Sequence, residues 1–153
     1  MKKFILLFLI SIFSYSQESI SYLELKKMTD SNMSEAVSIM KSKGFSFSSN
    51  SENLVMYSKS HSTINLIKYF YGATRLALYE KKNEYISNNI LNIIKKLGYK
   101  ERNSISDEVD GFCTIYESTN YLMTFCDSNL KLDNGELIPN FTVEMESKSN
   151  IEW

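Results

Sequence analysis

The sequence predicts an α+β fold built from two tandem α-β-β-β units, with helices packed on one face of an antiparallel sheet. Two observations predict it. The helix stop Lys43-Gly44-Phe45 is echoed by Leu97-Gly98-Tyr99, and each stop is followed by three extended segments separated by turn residues. Setting the halves against each other puts Val37 over Leu91, Met40 over Ile94, Phe45 over Tyr99 and, in the middle strands, Leu66 over Leu122 and Tyr69 over Phe125. Such self-similarity is the mark of a duplicated unit.

The chain opens with Met1-Lys2-Lys3, a short positive region, and a run from Phe4 to Phe13 broken by Ser11 alone. Ser14 and Ser16 supply small residues at the −3 and −1 positions of a cleavage site, so residues 1–16 read as a cleaved signal peptide. The run is short of the roughly 20 apolar residues that a membrane-spanning helix needs. Export to the periplasm of a bacterium, or secretion, follows as the expectation. The first unit is then 17–81 and the second 82–153, together one compact domain, with no membrane span after cleavage. The net charge of −1 offers no basic excess to neutralise phosphates, which argues against nucleic acid as a partner.

Ile20 to Met28 spaces Tyr22, Leu25 and Met28 at three residues, as a short helix or leading turn. Asp30-Ser31-Asn32 is rich in capping residues and precedes a helix from Met33 to Lys43 with Met33, Val37 and Met40 along one face. Phe45 and Phe47 open an extended piece and Ser48 to Glu52 is loop. Leu54–Lys59, Ile64–Tyr71 and Thr74–Lys81 read as strands, broken at Ser60-His61-Ser62 and Gly72-Ala73. The second unit begins with the clearest amphipathic helix in the chain, Asn83 to Tyr99. Asn83 is its N-cap, Ile86, Ile90, Ile93, Ile94 and Leu97 form its apolar face, and Lys95 and Lys96 suit the negative end of its dipole. After a polar loop, Asn103 to Asp110, the strands are Phe112–Glu117, Tyr121–Asp127 and Phe141–Ser147. Asn134-Gly135 marks a hairpin between the last two, with Pro139 at an edge or bulge.

Turn lengths set the faces. A two-residue turn at Ser118-Thr119 opposes Ile115 to Leu122 and Cys113 to Thr124, and a two-residue Asn134-Gly135 turn opposes Cys126 to Val143. One face then holds Cys113, Ile115, Leu122, Cys126, Phe141, Val143 and Met145 and packs on the helices. The other carries Tyr116, Tyr121 and Phe125 with Glu144 and Glu146, joined from the first unit by Tyr57, Tyr69, Tyr71, Tyr79 and Arg75. A sheet face bearing aromatics and a few charges is either covered or used, and tyrosine suits a protein-binding surface. A slip of one residue would instead make that face the core. Cys113 and Cys126 become diagonal neighbours, either a disulfide or two buried thiols.

Chemistry is thin. His61, the one histidine, sits in a serine-rich turn without the carboxylate and oxyanion hole that a triad needs. Glu144 and Glu146 lie on one strand and flank no cleft between them. Asp127 to Gly135 lacks the alternating oxygen ligands of a calcium loop, and two cysteines with one histidine close no zinc set. No cofactor or metal is implied, and the chain reads as leaning away from an enzyme.

The two helix stops, each followed by three strands, resemble the architecture of the β-lactamase inhibitory proteins. That resemblance implies a concave, aromatic-rich sheet face that grips a target enzyme, and it carries over no individual contact residue. The expected function is an exported binding module for an envelope or extracellular protein. A small envelope hydrolase with a site between the repeats, or a structural or lipid-handling component, are the alternatives.

Overall fold

The computed structural model describes residues 20–51, 54–59, 62–67, 73–79, 84–107 and 111–150. The segment 1–16, the N-cap Asn83, His61, Tyr69 and Tyr71 lie outside them.

The class is α+β. Helix α1 (Tyr22–Asp30) starts at a reciprocal cap: the Ser21 hydroxyl accepts from the Glu24 amide, and the Glu24 carboxylate accepts from the Ser21 amide at 2.9 Å. Its buried residues, Tyr22, Leu25, Met28 and Thr29, recur at the helical period. Asn32 caps α2 (Met33–Ser42) by accepting from the Glu35 amide at 3.0 Å. Helix α3 (Glu84–Lys96) buries Ile86, Ser87, Ile90 and Ile94. Leu97, expected on that face, falls beyond the last helical residue and is exposed.

The two helix stops have the same geometry. Gly44 and Gly98 take φ of 79° and 80°, a conformation only glycine adopts freely. Phe45 N–H donates to Met40 O at 3.1 Å and Tyr99 N–H to Ile94 O at 3.1 Å, closing the same six-residue ring around orphaned helix carbonyls. Both aromatic rings turn into the core.

Eight antiparallel strands follow: β1 (Ser46–Ser51), β2 (Leu54–Lys59), β3 (Ser62–Ile67) and β4 (Ala73–Tyr79), then β5 (Lys100–Asp107), β6 (Gly111–Glu117), β7 (Tyr121–Lys131) and β8 (Leu137–Ser147). Each helical segment thus leads into four strands rather than three. The additional strands are β1 and β5, which the sequence presents as an extended piece, a serine-rich loop and a polar loop. They are the two edges of one sheet, ordered β1-β2-β3-β4-β8-β7-β6-β5, where one side of the strand meets water and an apolar alternation is not required. Each carries a bulge two residues past its helix stop, between Phe47 and Ser49 and between Glu101 and Asn103. Two meanders therefore join through their last strands, β4 and β8. Counted outward from the Arg75–Glu144 pair, the registers match Tyr57 with Tyr116 and Leu66 with Phe125, not Leu66 with Leu122 as the aligned halves suggest.

Two turns decide which side chains lie inside. The β6–β7 turn is Thr119-Asn120, one residue later than expected: Ser118 N–H donates to Tyr121 O at 2.9 Å, and the Ser118 hydroxyl accepts from Tyr121 N–H at 3.0 Å. That keeps the faces and sets Cys113 directly opposite Cys126. The β7–β8 loop holds three residues, Asp133-Asn134-Gly135, inside a Leu132 N–H to Glu136 O bond of 2.8 Å, with Gly135 at φ 84°. This is a turn closed by a left-handed glycine instead of a two-residue loop. The change of one residue flips β8 against β6 and β7, so Phe125 opposes Val143 and Met123 opposes Met145. The helices cover the face bearing Leu76, Leu78, Tyr116, Met123, Phe125, Phe141, Val143 and Met145.

Candidate functional site: the open sheet face

The face away from the helices is read directly from the registers. One row across the inner strands runs Arg75, Glu144, Thr124, Ile115, Asn103. The next runs Ala73, Glu146, Leu122, Glu117, and a third passes through Thr142, Cys126, Cys113 and Ile105. Ala73, Thr142 and both cysteines are buried although none belongs to the core under the helices. Small buried groups therefore stand among the half-exposed side chains of this face.

The expected site residues divide between the two faces. Arg75, Glu144 and Glu146 share the open one, where Arg75 Nε lies 3.2 Å from a Glu144 carboxylate oxygen. Tyr79 pairs with Asn140, two steps along β4 from Arg75, and its side chain lies outside the described set. Tyr57, Tyr116 and Phe125 do not join them. All three are buried in the helix-side core, Tyr116 edge-on to Phe125 with centroids 5.8 Å apart and Tyr57 edge-on to Phe47 at 5.8 Å. Tyr121 also faces the helices, half-buried against the core, and its hydroxyl donates to both carboxylate oxygens of Asp30 at 2.7 and 2.6 Å. Aromatics and carboxylates, expected together, are separated by the thickness of the sheet. For Tyr116, Tyr121 and Phe125 the three-residue turn is the cause, and for Tyr57 it is the register of β2 and β3, which sets it in the row of Ile64 and Leu76.

The electrostatics of the two faces differ in kind. Burial raises the Glu146 carboxyl above the usual carboxylate range and the neighbouring charge of Glu144 raises it further. On the helix side, burial and then the Asp30 hydrogen bond raise the Tyr121 phenol, while Lys26 pairs with Asp30 at 2.7 Å and stands 5.0 Å over the Tyr121 ring. This tie of α1 to β7 spans 91 residues of chain and has no signal in the sequence. Beside it, Asp30, Asn120, Tyr121, Ser147 and Lys148 line a cleft of about 410 Å³.

Cys113 and Cys126 form a disulfide across β6 and β7, with 4.0 Å between their Cα atoms. Among the described residues no group of three or more His, Cys, Asp or Glu is placed to hold a metal ion, and no helix is long and apolar enough to cross a membrane.

Compared with protein-family models, curated proteins and solved structures, the chain matches none.

Proposed function

We propose that this protein is an exported, non-catalytic binding module that holds a protein partner on the open face of its sheet. The observation that carries the reading is that the core side chains of all three described helices pack against one face, while the other mixes charged, polar and apolar side chains. A sheet face of that composition is solvated or occupied. Export is supported by the pattern of residues 1–16 and by the Cys113–Cys126 bridge, since such bridges persist in oxidising compartments. Helical segments that each lead into an antiparallel meander support the resemblance to the β-lactamase inhibitory proteins, whose sheet grips an enzyme. The burial of Tyr57, Tyr116 and Phe125 departs from an aromatic grip, so the partner here meets Arg75, Glu144, Glu146, Thr124, Leu122 and Ile115 instead.

A photo-crosslinking amino acid at Thr124 tests the reading in the producing cells. The expected result is one discrete adduct, absent when the same group replaces Leu23, which is exposed on α1. No adduct at Thr124, or the same adducts from both positions, contradicts it.

A further inference from the structure

The row through Glu146 forms a small site within the open face. Glu146 stands between Ala73 on β4 and Leu122 on β7. Ala73 is fully buried, and the half-buried Leu122 gives the carboxylate an apolar wall. The Glu144 carboxylate, two residues before it, is engaged with Arg75. Among the described residues no ion pair or hydrogen bond reaches the carboxylate of Glu146, which is itself half-buried. Its raised protonation range follows from burial and from Glu144, with no cation offsetting either. Phosphate-bearing ligands have the wrong sign for this site. A divalent cation wants more oxygen ligands than the described residues gather here. A group with a long apolar stem and a cationic head fits both halves of the site.

We propose that the open face docks a protein segment through an arginine or lysine whose head pairs with Glu146 and whose stem lies along Leu122. The inference rests on the open face being the partner surface, and it specifies the chemistry of that partner. A cation arriving there neutralises a carboxylate that the fold leaves without one, and such charge-assisted pairs at partly desolvated positions set specificity between partners. The partner's neighbouring residues would lie over Thr124 and the Arg75–Glu144 pair.

The test uses a blocked pentapeptide, Gly-Ile-Arg-Ile-Gly, and its citrulline counterpart, which keeps the shape and removes the charge. Each is titrated into the ¹⁵N-labelled protein, unsubstituted and as Glu146→Gln. The arginine peptide is expected to shift the amides of Ala73, Leu122, Thr124 and Glu146. The citrulline peptide, and Glu146→Gln with the arginine peptide, are expected to bind on the order of ten-fold more weakly. Equal binding of the two peptides, shifts centred elsewhere, or no binding overturns the proposal. A second arm separates it from the reading beneath. An undiminished crosslink from Thr124 in the Glu146→Gln background overturns the cation at Glu146 and leaves the open face as the partner surface. Absence of any Thr124 crosslink without that substitution removes both.

Discussion

On the helix side of the sheet, Leu76, Met123, Val143 and Met145 are almost wholly removed from water and pack on Leu25, Met28, Met40, Ile90 and Ile94. On the other side of the same strands, Arg75, Thr124, Glu144 and Glu146 remain half-exposed and the buried groups are Ala73, Thr142 and the bridged Cys113 and Cys126. The strands are shared, yet the large apolar side chains of the core lie on one face alone. Substitutions separate the two by size of effect.

The largest effect belongs to the covered face. Met145→Ala removes a fully buried side chain and is expected to cost about 2–5 kcal/mol in denaturant unfolding, whereas Thr124→Ala, one strand over on the open face, is expected to change stability by about 0.5 kcal/mol or less. Comparable losses from both would erase the distinction. Next comes the bridge. Replacing Cys113 and Cys126 together by serine opens a loop whose ends are separated by 13 positions and is expected to cost about 2–3 kcal/mol. The tertiary fold should survive, as read by near-ultraviolet circular dichroism.

Tyr121→Phe deletes the hydroxyl shared by the two oxygens of Asp30 and is expected to cost about 1 kcal/mol, because the pair is partly exposed and Lys26 still faces Asp30. Losses from Tyr121→Phe and Asp30→Asn that simply add in the double variant would contradict a tie between α1 and β7. The smallest effect is on the open face and has the opposite sign. A carboxyl raised in the folded state binds its proton more tightly there than in the unfolded chain. Glu146 therefore detracts from stability above its raised range, and the loss is relieved as pH falls through that range. Glu146→Gln is expected to be slightly more stable than the parent at pH 7, by a few tenths of a kcal/mol at most given its exposure, with the difference vanishing near pH 4. A destabilised variant would show that the carboxylate already has a partner.

Much of the fold was legible because it is written in local signals. The cap at Asn32, the glycine stops at Gly44 and Gly98, and the isoleucine period of α3 each arise within a few residues and recur at their expected places, whereas the cap at Ser21 was not expected. The edge strands β1 and β5 were not legible. Residues 100–106 are all exposed, so nothing in SFSSNS or KERNSISD had to alternate, and their pairing comes from the strands beside them. The candidate site was half legible. In β8 the alternation of Phe141, Val143 and Met145 with Thr142, Glu144 and Glu146 identifies its inner and outer sides correctly. Strands β6 and β7 are apolar on both sides, with Cys113 and Ile115 against Tyr116 on one and Leu122 against Met123 and Phe125 on the other. Their assignment hung on one loop. Asn-Gly favours a two-residue turn, but Gly135 here closes a three-residue one, and that extra residue carried Tyr116, Tyr121 and Phe125 from the expected surface to the helix side.

Ile115 and Tyr116 are neighbours on β6 that point to opposite faces, so one pair of unfolding curves tests the face assignment most directly. Tyr116→Ala is predicted to lose about 3 kcal/mol or more, and Ile115→Ala about 1 kcal/mol or less. The reverse order would put the tyrosines back on the surface and contradict the open face described above.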